Sequence, residues 1–409
     1  VPPSPRSAPP APDPVVAAPP APAASARVPA RGWLAVVSVM TGIFSLVTTE
    51  ILPIGLLTPI GASFRISDGT AGLMMALPGI VAAVAAPVVT VATRRTDRRT
   101  MLCVLMLALV LADLLNALAP AYWAVLVARI VLGVVIGAFW SIGAGLAPRL
   151  VPEARQARAN AVIFSAVPLG SVLGVPAGVF LGHLAGWRTA FAAMAALTLI
   201  VFAALAVSLP PLPPQTSTSL SVLRGLFRTR GARTGIAVTF LVVTAHFGTY
   251  TYVTPFLQDV THAGPNLVTV LLLAYGVSGI AGNFLVGTWA ARALRPAFVT
   301  ASCLLAASTL LLPVLGRTTP GATVLLLLWG LAYGAVPVCS QLWFRTAAPH
   351  APEAATVVFT SSFQATISLG ALLGGAVVDT ASTSTVMLLG GLTALATALV
   401  VRLCAGSPD

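Results

Sequence analysis

Four ionisable side chains, Glu50, Asp113, Arg129 and His246, stand inside runs of sequence that otherwise carry almost no charge. On insertion scales a charge at the centre of an apolar membrane helix costs about 2.5–3.5 kcal/mol, so such residues are rare and mark proton relays, ion paths or substrate contacts. Glu50 falls in "TTEILP", 17 residues after Trp33, with Thr41, Ser45, Thr48 and Thr49 as a polar stripe beside it. A carboxyl at that depth can take up and release a proton; the other reading is a structural carboxyl held by its threonines. Arg129 shares a helical face with Gly133, Gly137 and Trp140, at spacings of four, four and three. Asp113 shares a face with Asn116. Asp113 and Arg129 lie at one depth on antiparallel neighbours, so a structural ion pair and a role in coupling both stay open.

A second group is polar but uncharged. His246 clusters with Thr249 and Tyr250, followed by Tyr252 and Pro255. It reads either as a hydrogen-bonding wall of a cavity or as a packed, satisfied histidine. Gln341 and Trp343, and Ser361, Gln364 and Ser368 on one face, would line an opposite wall, with Thr49, Trp140 and Asn283 as further lining. Each could equally be interhelical glue worth about 1 kcal/mol.

The elements that must position these residues follow from composition. The 409 residues are 57% hydrophobic and 8% charged, where a soluble domain carries roughly a quarter charged residues. A bilayer core needs about 20 apolar residues per helix, and twelve candidate spans appear: 33–60, 69–93, 100–119, 122–147, 158–183, 187–209, 233–259, 266–291, 296–315, 321–348, 352–378 and 383–404. Residues 1–32 form a Pro- and Ala-rich tail, with eleven prolines in the first thirty residues, which predicts disorder and lacks the apolar centre of a signal peptide. Residues 210–232, opening "PPLPPQTSTS", read as a linker between two six-helix halves, 33–209 and 233–404, with 405–409 as a tail. Four cysteines fall in or beside apolar runs without CxxC or Cys/His spacing, and no Walker A loop, GxSxG elbow or HExxH pair occurs. An enzyme, a metal site, a cofactor and an ATP-driven pump are therefore not expected.

All 22 basic residues are arginines. With a cytoplasmic N-terminus, eighteen fall in cytoplasmic segments, only Arg65, Arg188 and Arg317 outside, and Arg129 inside a span, which orients both termini to the cytoplasm. The net charge of +12 thus reflects membrane orientation; nucleic-acid binding would want a continuous basic face. The halves repeat weakly: "TVATRRTDRR" precedes "GTWAARALRP" by 197 residues, and "LGVPAG" precedes "LGALLG" by 196. Such repeats place a solute site between two bundles near the midplane.

The chain resembles the major facilitator superfamily and, within it, the twelve-span drug:proton antiporter group, over essentially all of 33–404. "TTEILPIGLLTPIG" is similar to that group's first-helix signature, "ARIVLGVVIGAFW" to its fourth-helix motif, and "PLGSVLGVPAGVFLGHLAGWRTAF" to its fifth-helix antiporter motif. "RLVPEA", "SLPPLP" and "AVPV" resemble the purine ribonucleoside efflux permeases, with the arabinose-type permeases close by. The resemblance implies proton coupling, with Glu50 in the first-helix signature and Arg129 in the fourth-helix motif; Asp113 is the third coupling candidate, or else the structural partner of Arg129. The resemblance also implies a tight, bendable contact at Gly170, Gly174, Pro176 and Gly178 that limits leak between the halves. The superfamily's gating loop usually reads Gly-x-x-x-Asp-Arg-x-Gly-Arg-Arg. Here Arg94 takes the Asp place and Asp97 the second Gly place, with Arg95, Arg98 and Arg99 retained and Asp97 as a substitute acid. Trp33, Trp123 and Trp187, at helix ends, read as interfacial anchors.

The expectation is an all-α membrane protein with twelve transmembrane helices in two pseudo-symmetric six-helix bundles. It would act as a monomer in the inner (cytoplasmic) membrane, exporting a small organic solute (nucleoside, sugar or drug-like) in exchange for protons. A proton-coupled importer or facilitator, and a transport-inactive membrane sensor or scaffold, remain as alternatives.

Overall fold

The computed structural model describes residues 30–93, 96–143, 146–213, 229–290, 292–348 and 352–403. Most of the Pro-rich tail, most of the 210–232 linker and the end of the chain lie outside the described residues, as do Arg94 and Arg95. Among the described residues the structure is helical, without strands. Eleven helices are long and apolar enough to cross a membrane, and a bent pair makes twelve.

Span 1 is Ala30–Phe64. Span 2 is Leu73–Ala92, preceded by the single turn Asp68–Ala71. Spans 3 to 6 are Arg98–Ala117, Tyr122–Gly143, Gln156–Ala185 and Trp187–Ser208. Span 7 runs Arg230–Tyr250, bends by 43° and continues as Val253–Asp259. The bend has a sequence cause: Pro255 has no N–H to give to the carbonyl four residues back, at Thr251. Spans 8 to 12 are Pro265–Ala290, Leu294–Leu315, Thr319–Ala347, Pro352–Thr380 and Thr383–Leu403.

The helices satisfy their own backbone, as a chain in lipid must. Leu111, Leu118, Val134, Leu199, Ile200, Phe284 and Val314 point outward, as expected of a lipid-facing surface. Span 2 crosses span 4 and span 8 crosses span 10 at backbone contact. A Cβ at Gly133 would meet Pro78 O at 2.6 Å and one at Gly137 would meet Ala82 O at 2.7 Å; Gly330 and Gly334, each 197 positions on, face the carbonyls of Tyr275 and Gly279. Across the halves, Gly79 of span 2 lies on Ser368 of span 11, and Gly276 of span 8 lies on Val172 of span 5. These are symmetry-related contacts, so the weak sequence repeat is a real structural one.

Two expectations change. Trp187 is 4% exposed, donates from Nε1 to Ser63 Oγ at 2.9 Å and packs between Phe64 and Phe191, so it is a core residue and not an interfacial anchor; Trp123 is exposed as an anchor should be. The glycine stripe of span 5 faces span 1 of the same half: Gly170 lies on Val47, Gly174 on Thr48 and Gly178 on Leu52, while the contact with the other half is made by Val172.

Candidate functional site

"TTEILP" organises the first half of the site. Pro53, inside span 1, has no N–H for the carbonyl of Thr49, which is left free for another donor. Arg129 Nη1 of span 4 takes it at 2.8 Å. The Thr49 hydroxyl donates to Asp113 Oδ2 of span 3 at 3.2 Å. The expected Asp113–Arg129 pairing is therefore corrected: both residues are fully buried at one depth, but Thr49 stands between them as the hydrogen-bonded link. The Arg129 guanidinium also lies 5.2 Å from the centre of the Phe191 ring, a cation–π distance. Ser45, one turn before Thr49, and Asn116, one turn after Asp113, are buried on the same helix faces. Asp113 Oδ1, Asn116 Oδ1 and Arg129 Nε and Nη2 have no partner among the described residues.

Glu50 is half-buried, next to this network and turned to the other half. Gln364 Nε2 of span 11 donates to its Oε1 at 3.0 Å. The sequence offers Glu50 as a coupling acid and Gln364 as cavity lining, and the structure joins the two by this hydrogen bond.

The second half contributes rings instead of charges. Tyr333 stacks on His246 with centroids 3.2 Å apart and planes within 7°; His246 stacks on Tyr250, and Tyr250 on Tyr275 at 4.6 Å. Trp329 stands edge-on to His246, Tyr250 and Tyr275 and donates from Nε1 to His246 Nδ1 at 3.1 Å. With Nδ1 accepting, the imidazole is the neutral Nε2–H tautomer. Tyr333 is the half-buried end of this column, within electrostatic range of Glu50. Tyr275, Trp329 and Tyr333 were missed in the sequence. A single aromatic in an apolar helix looks the same whether it faces lipid, core or cavity, and only the four-residue spacing of Trp329 and Tyr333, which puts both on one face of span 10, is a signal that could have found them.

Other candidates lie elsewhere. Tyr252, past the bend, donates to Ala371 O at 2.7 Å. Trp343 is buried against Phe298 and donates to Gly231 O, at the end of the bundle where span 7 begins. Gln341 is exposed, Asn283 is half-buried on span 8, and Trp140 packs against the apolar core of the first half. In the loop before span 3, Asp97 Oδ1 accepts the N–H groups of Arg99 and Thr100 as a helix cap, and Oδ2 accepts the Leu212 N–H at 2.7 Å. Arg99 donates to Ala206 O, and Arg98 N–H to Leu212 O. This loop thus fastens the "SLPPLP" segment to the base of span 3.

Eleven long apolar helices and a bent pair, in two related bundles that meet at a Gln–Glu bond, are the architecture of a membrane transporter. The chain belongs to the Major Facilitator Superfamily, whose family profile matches residues 33–364. It is 32% identical over 369 residues to the purine ribonucleoside efflux pump NepI of Escherichia coli K12, covering 90% of this chain and 93% of that one, and equally to NepI of Shigella flexneri. Its fold is similar to the crystal structure of the human organic anion transporter MFSD10 (TETRAN), with TM-score 0.65, 18% identity, and 91% of this chain and 99% of that chain covered. It is also similar to an inward-facing, unoccupied bacterial homologue of the human lysosomal transporter Spinster, with TM-score 0.69, 14% identity, and 92% and 96% covered.

Proposed function

We propose that the chain exports a small solute of the nucleoside class in exchange for protons, by alternating access between its two halves. The observation that carries this reading is the Gln364–Glu50 bond. It ties a half-buried acid of one half to the other half, so the protonation of Glu50 and the relation between the halves are linked. Behind Glu50, the Thr49–Asp113–Arg129 network has polar atoms with bonding capacity to spare for water or a moving proton. Tyr333, at the end of the ring column, offers a stacking face for a planar heterocycle, in keeping with the purine ribonucleoside efflux named for its relatives. The arginine asymmetry supports cytoplasmic termini, placement in the inner membrane, and a bundle end opposite the termini that faces outward. In this reading 33–209 and 233–404 rock as two bodies joined by 210–232, and the protein works as a monomer.

The test is proton release on adding adenosine to purified protein in weakly buffered detergent solution. Wild type releases protons; Glu50→Gln, nearly the same volume and permanently neutral, binds adenosine and releases none. Equal release from both moves coupling to Asp113. Adenosine counterflow without any proton release makes the protein a facilitator.

A further inference from the structure

Asp379 stands in the last turn of span 11, where a helix dipole disfavours a negative charge. Its carboxylate is directed to the first half. Oδ1 accepts the Gly69 N–H at 2.9 Å, and Oδ2 accepts from the Ser67 hydroxyl at 2.7 Å, with Thr70 Oγ1 as that hydroxyl's alternative acceptor at 2.8 Å. The two segments touch without room to spare: a Cβ at Gly69 would collide with the Asp379 carboxyl and reach Gly375 O at 2.5 Å. Nearby, Thr254 donates to Ile54 O at 2.8 Å, a second bond between the halves at the same end of the bundle. A cavity of about 490 Å³ opens beside the contact, lined by Asp68, Asp259, Asp379 and Ser382 among others. Two further carboxylates thus flank Asp379, and Asp68 feels both Asp259 and Asp379 as like charges.

We infer that Asp379 is a positioning residue for the transport cycle: it latches shut the end of the bundle at which spans 1 and 11 finish. Two donors from the turn before span 2 hold the carboxylate in the closed arrangement, and repulsion of Asp68 in the first half against Asp259 and Asp379 in the second pushes the halves apart. Opening that end loses both bonds and relieves the repulsion, so the contact biases an equilibrium instead of freezing it. The inference rests on the alternating-access reading and is independent of which residue carries the proton.

The experiment is a spin-label distance measurement between Ala62 and Ala381, exposed positions on opposite halves at this end. It uses full-length protein in nanodiscs with the native cysteines replaced. Wild type should show a dominant short distance and a minor long one. Asp379→Ala should move the ratio towards the long distance by about three- to tenfold, the worth of hydrogen bonds to a charged group. Asp379→Asn keeps an acceptor for Gly69 and turns its amide to Ser67, so it should retain the short distance. Asp259→Asn removes repulsion only and should favour closure. Ser67→Ala, which leaves every charge in place, should shift the ratio as Asp379→Ala does but less, and gives the answer if the alanine variant fails to fold. An unchanged ratio in both Asp379→Ala and Ser67→Ala overturns the latch, as do equal shifts in Asp379→Ala and Asp379→Asn. A wild type with one distance under every substrate condition sinks alternating access itself, a different failure.

Discussion

Moving 196 or 197 positions along the chain carries each residue of the first half onto its counterpart in the second. Glu50 lands on His246, Asp113 on Leu310 and Arg129 on Leu326. In the other direction Trp329 lands on Leu132, Tyr333 on Ile136 and Tyr275 on Pro78. The glycines at the crossings, Gly133 with Gly330 and Gly137 with Gly334, are kept in both halves. Backbone architecture is therefore shared and chemistry is divided: one half buries a charged network and the other an uncharged ring column. The physical reason for keeping the charges in one half is that each buried charge needs compensation. Arg129 and Asp113 compensate one another through Thr49, whereas Leu326 and Leu310 need nothing.

The comparison can be broken most forcefully by erasing the asymmetry. Arg129→Leu gives the first half its counterpart's residue but leaves Asp113 buried without its cation, which costs about 3–5 kcal/mol. The expected outcome is a large fall in melting temperature in detergent. The double variant Arg129→Leu with Asp113→Leu should recover most of that stability while remaining unable to drive efflux by a pH gradient. A double variant no more stable than the single one would mean that the charges are not each other's compensation.

A smaller effect tests the shared part. Gly334→Ala forces a methyl against the Gly279 carbonyl, and overpacking of this kind costs about 1–3 kcal/mol. Gly174→Ala, whose Cβ would find Thr48 at 3.3 Å, should be milder. Melting curves of the two variants measure the difference, and the reverse order would contradict the backbone contact of spans 8 and 10.

The ring column is sharpened by Tyr333→Leu. Loss of a stacking face worth about 0.5–1.5 kcal/mol should weaken adenosine binding by about two- to tenfold, with Tyr333→Phe close to wild type. Equal binding by the leucine variant would remove Tyr333 from the substrate site. The smallest expected effect is His246→Phe. It keeps a ring in the column but removes the acceptor for Trp329 Nε1, a loss of about 1 kcal/mol, seen as a slight drop in melting temperature with transport retained.

Glu50, Gln364, His246 and Tyr250 were legible because polar or titratable groups in an apolar run stand out. Asp97 was legible as a displaced acid, but not as the helix cap that holds Leu212, because its partner lies in a distant Pro-rich segment. Ser67 and Asp379 gave no signal: polar residues at helix ends are ordinary, and only the packing of spans 2 and 11 brings them together. Trp187 was misread for the same reason, since a tryptophan beside a loop faces headgroups or core depending on what lies next to it.

By itself, the sequence determined the number of spans, their repeat and the residues too polar to be left in lipid. Those follow from hydropathy and charge, which act locally along the chain. Tertiary structure alone decided that Thr49 separates Asp113 from Arg129, that Tyr333 ends the ring column, that the span 5 glycines face span 1, and that Asp379 reaches across to Gly69. Each depends on which helix faces meet, and a uniformly apolar helix carries little periodic signal of its facing. Where every side of a span is oily, close packing and a few hydrogen bonds select the partner, and neither can be read from one strand of sequence.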